Sequence, residues 1–390
     1  MKLCIATMMK NESDSLIEWV CYHLAIGIDS FIVANNESSD STKDILKLLS
    51  DFCNLEFFDF ETPKSSKPQL PAFNYMLNKY KHNHDLMAFI DADEFLCPMD
   101  EHEEIAPLLD NLFLHDDVGA LAINWCNYGS SNAIFKEPGL AIERFSQHSL
   151  NNFLPNHHYK TIFRAKDAIR FINPHHIETN KKYISSDGSE LINHPNLGIG
   201  LSKDVKWENI RINHYVIKSL QEYFVGKSLR GNASTQKPVD RKSYFLSYDR
   251  NEAKTLAKNA IIHNTYLKIS ELIAFSKIKL GSTPIYLQEL ESYFIANSFF
   301  HIDILNEKII SCWAINKLAS KYELVICSEN SENKLQPNFN RPDVVKAILG
   351  TKENYRDLCG FSYRIDREKI KTIKLTNGFI EHVIYEREHS

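Results

Sequence analysis

The amino-acid sequence predicts an α/β protein in which a mostly parallel sheet is followed by a helical connector and a small antiparallel β-sandwich. Apolar, strand-like segments alternate with amphipathic helical segments over about the first 90 residues. Helical patterns follow residue 250, and short strand patterns separated by polar turns begin near residue 300. We therefore predict three domains, which span residues 1–250, 251–298 and 299–390.

Four apolar segments form the parallel part of the predicted sheet, and a helical segment separates each from the next. The predicted strands are Leu3–Met9, Ser30–Ala34, Leu55–Phe60 and Leu86–Ile90. The predicted helices are Ser13–Ile26, Lys43–Ser50 and Leu70–Tyr80. Because parallel strands need a crossover that returns the chain to the same end of the sheet, this alternation is typical of a doubly wound, Rossmann-like sheet.

The C-terminal third of the chain has a different periodicity. Helical patterns cover Asn251–Phe275 and Leu287–Ala296. Short strands are predicted at His301–Leu305, Lys308–Ile315, Tyr322–Cys327 and Lys371–Leu375, with turns at Glu307-Lys308 and Asn377-Gly378. The sequence of this part has no cluster of carboxylates or histidines typical of a second catalytic site. We interpret it as a structural cap, with accessory roles in acceptor binding, oligomerisation or docking as alternatives.

Composition limits the class of protein. The chain of 390 residues is 43% hydrophobic and 24% charged with a formal net charge of −5, so it lacks the basic field of a general nucleic-acid-binding protein. Its 8 cysteines include no Cys-x-x-Cys pair, which favours a reducing compartment over a disulfide framework or a zinc ribbon. The sequence shows neither a signal peptide nor a run of about 20 apolar residues. We expect a cytoplasmic protein whose only route to a membrane is peripheral association at the inner face; its oligomeric state is unknown.

Three carboxylates follow the fourth predicted strand directly, at Asp91, Asp93 and Glu94. Ligands bind at the carboxyl ends of strands in open α/β sheets, and two aspartates at i and i+2 can offer oxygens to one hard divalent cation. Such a cation, Mg²⁺ or Mn²⁺, normally also binds substrate phosphates. The motif predicts a metal-assisted reaction on a nucleotide or another phosphorylated donor, and helix capping or simple solvation of the carboxylates is the alternative.

The turn after the first strand argues against two common nucleotide sites. Met8–Glu12 contains no glycine, so a dinucleotide pyrophosphate could not approach its backbone, and a Walker loop is absent as well. Amides, hydroxyls and carboxylates follow the second strand in Asn35–Thr42. We therefore expect a nucleotide to be held by side chains at the strand ends.

Seven short motifs over about residues 1–250 occur in the same order as in one known protein family. They are Thr7–Glu12, Glu18-Trp19, Asn35–Thr42, Phe89–Phe95, Asn124–Ser131, Lys160–Arg164 and Ile212–Ser219. Together they resemble the amino-terminal half of GT-A type glycosyltransferases, and in particular the group that spans glycosyltransferase families 2 and 92. The C-terminal segments Arg341–Val344 and Gly360-Phe361 look like parts of a small β module of bacterial glycosyltransferases. The resemblance implies a nucleotide-sugar domain of the GT-A fold.

The resemblance also implies a role for each matching residue. A uridine nucleotide would be held by Thr7, Met8, Lys10, Asn11, Glu12, Asn35, Asn36, Asp40 and Asp91. The metal ligands would be Asp91, Asp93 and His214, with Asp93 the direct ligand and Asp91 nearer the ribose. The diphosphate would lie against Lys218, Lys227 and Arg230, although basic residues in such a cluster are also typical of a solvated face.

Acceptor recognition is expected between residues 115 and 215. Trp125 and Tyr128 combine aromatic faces with neighbouring amides, as sugar sites do, although aromatic residues three apart are as often core residues. An inverting transferase needs a base for the acceptor hydroxyl, and the candidates are Glu178, His176 and Glu94. All three candidates stay open, and a retaining reaction would need no base in this position.

The resemblance therefore implies a cytoplasmic hexosyltransferase that depends on Mn²⁺ or Mg²⁺. Its donor would be a UDP-sugar and its acceptor a saccharide or lipid-linked saccharide, in the synthesis of a cell-surface polysaccharide or lipooligosaccharide. The cation and nearby lysines would stabilise the departing phosphate. Two other classes remain as alternatives. One is a Mg²⁺-dependent phosphohydrolase of the haloacid dehalogenase type, which also places Asp-x-Asp after an apolar strand, and the other is a non-catalytic carbohydrate-binding protein.

Overall fold

A computed structural model describes residues 1–28, 30–63, 67–99, 104–229, 240–328, 331–350, 358–365 and 370–387. The chain divides into two compact units, Met1–Ile261 and Ile262–Ser390. The first contains a large, mostly parallel sheet with helices, and small antiparallel sheets occupy the C-terminal part. This mixed α/β architecture confirms the predicted fold class.

The first unit is built from 15 strands and six α-helices within the described residues. The strands are β1 Leu3–Met9, β2 Ser30–Asn35, β3 Leu55–Asp59, β4 Leu86–Phe89, β5 Glu94–Pro98, β6 Val118–Asn127, β7 Gln147–His148, β8 Tyr159–Arg164, β9 Ala168–Asn173, β10 His176–Thr179, β11 Lys182–Ser185, β12 Asn193–His194, β13 Gly198–Ser202, β14 Ile210–His214 and β15 Ala253–Lys254. The helices are α1 Leu16–Ala25, α2 Thr42–Phe52, α3 Gln69–Tyr80, α4 Ala106–Leu112, α5 Ala141–Arg144 and α6 Arg241–Tyr248. A π-helical turn at Glu222–Gly226 leads into a 3-10 turn at Lys227–Leu229.

The strand order of the large sheet contains a point at which the direction of building reverses. The sheet runs β3-β2-β1-β4-β8-β6-β14-β5, and β11 pairs with β6. Strands β3, β2, β1 and β4 are parallel neighbours, so the chain builds outward from β1 on one side and then crosses to β4 on the other. Ligands of open α/β sheets bind where the strand order reverses in this way, at the carboxyl ends of the strands. In this chain that position lies between the ends of β1 and β4.

Aromatic packing fixes the position of β4 in the sheet. Phe89 of this strand lies 4.9 Å from the ring of Phe73 on α3 and 4.6 Å from the ring of Phe171 on β9. All three side chains are buried in one apolar cluster, which lets β4 remain apolar on both faces. Because the acidic residues follow β4 directly, this packing also holds the start of the acidic turn.

Helix α1 anchors the strand that follows the acidic residues. The indole of Trp19 donates to the carbonyl of Glu94 (2.9 Å), and the hydroxyl of Tyr22 donates to the carbonyl of Leu96 (2.7 Å). His23 Nδ1 lies 2.7 Å from the carbonyl oxygen of Trp19, and its Nε2 accepts from the N–H of Leu96 at 3.3 Å. An imidazole that donates from Nδ1 and accepts at Nε2 must be neutral.

The buried His23 makes stability depend on pH. Burial lowers the pKa of His23 to about 3, well below its usual value. Protons therefore bind the unfolded chain more strongly, so the free energy of unfolding falls as the pH falls from the unfolded pKa towards the folded one. We expect the stability advantage of the wild type over His23→Gln to shrink by about 2 kcal/mol between about pH 7.5 and about pH 5. Urea unfolding at both values measures the change, and a constant advantage would contradict it.

The second unit, together with the helix that enters it, contains three α-helices and eight strands among the described residues. They are α7 Asn259–Leu280, α8 Ile285–Ala296, β16 Ser298–Leu305, β17 Ile309–Asn316, β18 Glu323–Ser328, β19 Glu332–Leu335, β20 Phe339–Asn340, α9 Pro342–Leu349, β21 Leu358–Arg364, β22 Ile370–Thr376 and β23 Glu381–Glu386. Two antiparallel sheets, β16-β17-β21-β20 and β19-β18-β22-β23, share one apolar core.

The connector differs from the prediction at its start. The helix predicted from residue 251 begins at Asn259, because Ala253 and Lys254 pair antiparallel with β7 as the short strand β15. The hairpin turn predicted at Asn377-Gly378 is present between β22 and β23, where Gly378 has φ +95°. None of the helices in the described segments combines the length and apolar character that crossing a membrane requires.

Candidate functional site

The acidic residues after β4 form a tight turn. The N–H of Asp91 donates to the Glu94 carboxylate (3.0 Å), and the N–H of Glu94 donates back to the carbonyl of Asp91 (3.0 Å). The carbonyl of Asp93 accepts from the N–H of Tyr215, just after β14, at 2.8 Å. The turn is therefore closed from inside and tied to a second strand end, so the positions of Asp91 and Asp93 are well defined.

The two aspartates lie in separate ion pairs. Asp91 accepts from the Lys160 ammonium at 3.0 Å and from the Gln69 amide at 2.9 Å, one contact to each oxygen. Asp93 contacts the Lys227 ammonium with one oxygen, and its other oxygen lies 3.5 Å from His214 Nε2. Within the residues that the structure describes, no three His, Cys, Asp or Glu side chains are grouped so that they could hold a metal ion.

Charge and burial set the protonation of the Asp93 and His214 pair. Burial raises the pKa of Asp93, but Lys227 and His214 outweigh it and hold that pKa well below its usual range. Burial lowers the pKa of His214, and Asp93 opposes this shift without reversing it. The pair therefore consists of an ionised carboxylate and a neutral imidazole at neutral pH. His214 Nδ1 is buried and has no hydrogen-bond partner among the described residues.

Glu94 faces the protein interior. Its side chain is 0% exposed and lies 3.5 Å from Lys160, which is itself 1% exposed. Burial raises the pKa of Glu94 to about 8; Lys160 opposes this rise, and the charges of Asp91 and Asp93 add to it. Although Glu94 is one of the predicted bases, the structure does not bring its carboxylate to a surface where an acceptor hydroxyl could meet it. Its contacts are those of a residue that shapes the acidic turn.

The loops after β1 and β2 are joined by side chains that the sequence predicts to bind a nucleotide. Asn11 has φ +54°, a conformation that asparagine tolerates, and its side-chain oxygen accepts from the N–H of Ser39 at 2.7 Å. The Asp40 carboxylate accepts from the N–H groups of Ser13 (3.1 Å) and Thr42 (3.0 Å). Burial raises the pKa of Asp40, but these hydrogen bonds hold it below its usual value. Asn11 and Asp40 therefore join the loops after β1 and β2 to each other.

The remaining strand-end residues divide between the interior and the rim. Lys10 forms an ion pair with Glu37 (3.6 Å), and the N–H of Glu12 donates to the hydroxyl of Thr42 (2.8 Å). Asn36 donates to the carbonyl of Phe60 at 3.0 Å, and Met8 is half-buried. Thr7 and Asn35 are buried, and in the described part of the chain the Thr7 hydroxyl and the Asn35 side-chain oxygen have no hydrogen-bond partner.

The structure separates the two predicted acceptor residues. Trp125 on β6 stacks on His158 (4.8 Å) and lies 4.4 Å from the ring of His214, so it is next to the Asp93 pair. The Trp125 N–H is buried and has no partner among the described residues. Tyr128 is 2% exposed, and its hydroxyl accepts from Arg211 at 2.9 Å. Trp125 therefore lies next to the Asp93–His214 pair, and Tyr128 is an interior residue.

Two further predicted bases lie on the β9–β10 hairpin. Glu178 is partly exposed and pairs with Arg170 at 2.7 Å. His176 Nδ1 lies 2.8 Å from the hydroxyl of Tyr159, and its ring stacks on Tyr183. Burial lowers the pKa of His176 to about 4, so this imidazole is neutral at neutral pH. Its neighbour His175 lies 5.2 Å from Trp125.

The predicted diphosphate residues are only partly described. The Lys227 ammonium forms an ion pair with the Asp93 carboxylate. Lys218 has φ +55° and donates to the hydroxyl of Ser15 on the loop before α1, at 2.7 Å. Arg230 lies outside the described residues.

Lys160 and Gln69 hold Asp91, and the sequence did not single them out for this role. Lys160 lies in a strand between apolar and aromatic residues, and a lysine is almost never fully buried unless it is paired. That placement is the one signal in the sequence that a carboxylate must lie opposite it. Gln69 begins α3 and carries no comparable signal.

Charged side chains at the switch point of an open sheet are typical of ligand-binding α/β proteins. The chain belongs to glycosyltransferase family 92, whose family model matches residues 1–257. A family 92 protein of Oryza sativa subsp. japonica is 25% identical over 244 residues, which are 61% of this chain and 40% of that protein. One of Arabidopsis thaliana is 27% identical over 137 residues, 33% of this chain and 24% of that protein. The chain thus spans well under half the length of these relatives.

Among solved structures, S. aureus TarS matches 98% of this chain and 77% of its own, at 12% identity and a TM-score of 0.30. Glucosyl-3-phosphoglycerate synthase from Mycobacterium tuberculosis, solved with Mn²⁺, UDP and phosphoglyceric acid, matches 32% of this chain and 43% of its own. Its identity is 15% and its TM-score 0.24. TM-scores this low do not establish a shared fold, so the family assignment rests on the sequence match.

Proposed function

We propose that this glycosyltransferase is of the GT-A type and moves a hexose from a UDP-sugar to a saccharide or lipid-linked saccharide, assisted by Mn²⁺ or Mg²⁺. The product would belong to a cell-surface polysaccharide or lipooligosaccharide. The observation that carries the proposal is the ionised Asp93 carboxylate beside the neutral imidazole of His214, with the Lys227 ammonium on the same carboxylate. This group lies at the carboxyl ends of strands in the large sheet, where open α/β sheets bind their ligands.

The donor set fits a divalent cation that the substrate helps to bind. Carboxylate oxygen and neutral imidazole nitrogen are both ligands of Mn²⁺, and one Asp93 oxygen faces His214 Nε2 at 3.5 Å. Mg²⁺ commonly takes one or two carboxylates from the protein and the rest of its ligands from phosphates and water. Asp93 and His214 would hold the cation. When bound, it would supply Lewis-acid stabilisation of the departing diphosphate.

The protein's own residues would bind and orient the donor. Lys218, Lys227 and Arg230 would balance the charge of the diphosphate. Asp91, held in place by Lys160 and Gln69, would accept a hydrogen bond from the ribose. The buried, unpartnered oxygens of Thr7 and Asn35 are available to the nucleotide, whereas Asn11 and Asp40 would act through the loops that they join.

The acceptor would lie beside Trp125, whose indole N–H is free to donate to a sugar hydroxyl. For an inverting reaction, His176 is the more suitable of the two bases on the hairpin, because it is neutral at neutral pH and Glu178 is already paired with Arg170. A retaining reaction would need neither residue.

Thermal unfolding in the presence of nucleotides tests the donor class. We expect Mn²⁺ and UDP together to raise the melting temperature by about 5 to 10 °C at a hundredfold excess over the dissociation constant, since a ligand that binds the native state stabilises it by about 2.7 kcal/mol under those conditions. The controls are UDP with EDTA and ADP with Mn²⁺. Both should raise the melting temperature far less. An equal shift in EDTA would contradict metal-assisted binding, and release of phosphate from monoesters without sugar transfer would favour a phosphohydrolase.

A further inference from the structure

The two lysines that face the acidic turn differ sharply in burial. The Lys160 side chain is 1% exposed, whereas that of Lys227 is 36% exposed. Each ammonium contacts a different aspartate, Lys160 on Asp91 and Lys227 on Asp93. An ammonium that can regain water leaves its carboxylate at low cost, and a buried one cannot. The two ion pairs should therefore respond differently to an arriving cation.

Burial keeps the Lys160 ammonium on Asp91 whether or not a ligand is bound. Lys160 lies on β8 between β4 and β6, and its ammonium contacts Asp91 at 3.0 Å and Glu94 at 3.5 Å. The aromatic ring of Phe73 lies 5.9 Å from the same ammonium. Withdrawing it would leave a charge uncompensated inside the protein, which is strongly unfavourable. Since Gln69 holds the second oxygen of Asp91, both oxygens of this carboxylate are already engaged by the protein.

The Lys227 contact can be given up. Lys227 begins the 3-10 turn Lys227–Leu229, and its ammonium has Asp93 as its acidic partner among the described residues. The second Asp93 oxygen faces the His214 imidazole, so a cation bound by Asp93 and His214 would meet the Lys227 ammonium directly. Two positive charges at one carboxylate repel each other, and the exposed lysine is the one that can move into solvent.

We propose that Lys227 is a tethered counter-ion that neutralises Asp93 in the donor-free protein and leaves it when a divalent cation and the donor diphosphate bind, while Lys160 stays on Asp91 in both states. The inference rests on the proposed function. It gives Lys227 two successive partners, the carboxylate first and the diphosphate second. Asp93 would then exchange the Lys227 ammonium for the divalent cation, and Asp91 would contact the nucleotide.

If this exchange occurs, replacing Lys227 should strengthen the binding of Mn²⁺ and weaken the binding of UDP. Without the competing ammonium, Lys227→Met should bind Mn²⁺ about fivefold more tightly than the wild type in the absence of nucleotide. The same variant should bind UDP about tenfold more weakly in the presence of saturating Mn²⁺, because the diphosphate has lost a cationic partner. A lysine that served the diphosphate alone would change only the second affinity, and a lysine with a structural role would weaken both.

The experiment measures Mn²⁺ binding to the full chain by electron paramagnetic resonance, first without and then with UDP. Lys79→Met is the matched control, since Lys79 is also a partly exposed lysine paired with a carboxylate, Glu56, at 3.3 Å. It should leave both affinities unchanged. Asp93→Asn should lose Mn²⁺ binding.

The outcomes separate this inference from the function it rests on. Tighter Mn²⁺ binding together with weaker UDP binding in Lys227→Met supports the exchange. Unchanged or weaker Mn²⁺ binding in that variant, in a protein whose wild type binds Mn²⁺ and UDP, overturns the exchange and leaves the proposed function standing. Binding of UDP by the wild type with no contribution from Mn²⁺ overturns both the exchange and the metal assistance. A wild type that binds neither ligand overturns the proposed function itself.

Discussion

Replacing Asp93 by asparagine is expected to lower the turnover of a UDP-sugar by about 10³-fold or more while the fold is kept. The substitution preserves size and removes the charge that faces His214 and that would hold a cation in the proposed function. Electrostatic stabilisation of a leaving group is among the largest single contributions to catalysis, and loss of one such group commonly costs about 10²- to 10³-fold. If the carboxylate fixes a cation, its removal should lower the rate by the upper end of that range or more. Release of UDP from the donor, with acceptor present, measures the rate.

The matched control is Asp187→Asn. Asp187 is also a lysine-paired carboxylate, with a side chain 27% exposed against 17% for Asp93, but it lies in the turn after β11 and its partner is Lys206. This variant should turn over the donor at the wild-type rate. Circular dichroism should show that both variants keep their secondary structure. If Asp93→Asn remains within about tenfold of the wild type, the carboxylate is not the group that supports departure of the diphosphate.

The sequence was most informative where structure is determined locally. Strands β1 to β4 and helices α1 to α3 were placed to within a few residues, because their apolar periodicity and the intervening polar turns are contained in the segments themselves. The second half of the sheet could not be placed this way. Strand β14 pairs with β5, more than a hundred residues earlier, and a short apolar run carries no information about such a partner. The short strand β15 is a similar case, since its partner β7 determines it.

The sequence could predict those parts of the site that depend on residues adjacent in the chain. Asp91 and Asp93 were found because they follow an apolar strand, but their separation into two ion pairs depends on lysines 69 and 134 residues away along the chain. Glu94 shows the opposite limit. The sequence predicts it as a candidate base, with helix capping or solvation as the alternative, and its burial against Lys160 is visible only in the structure. Tyr128 likewise needed the buried contact with Arg211 to be recognised as an interior residue.

Lys160→Met is expected to lower the free energy of unfolding by about 3 to 5 kcal/mol, because it removes the one ammonium that faces Glu94 within 4 Å among the described residues. Methionine preserves most of the length and apolar volume of the stem, so the loss should come mainly from charge. Burial raises the pKa of Glu94 to about 8 even with Lys160 present. Loss of that ammonium should raise the pKa of Glu94 further, so the carboxyl should keep its proton at and somewhat above neutral pH, which limits the penalty.

The double variant Lys160→Met with Glu94→Gln isolates the cause of that loss. Glutamine can still accept the hydrogen bond from the N–H of Asp91 and carries no charge, so the double variant should be more stable than Lys160→Met by about 1 to 3 kcal/mol. Lys182→Met, which removes an exposed partner of Asp117, is the control and should change stability little. Chemical denaturation of the wild type, Lys160→Met, Glu94→Gln, the double variant and the control measures the coupling. If the two substitutions are simply additive, the ammonium is not compensating Glu94, and the acidic turn must be held by its backbone hydrogen bonds and by the anchoring of β5 on helix α1.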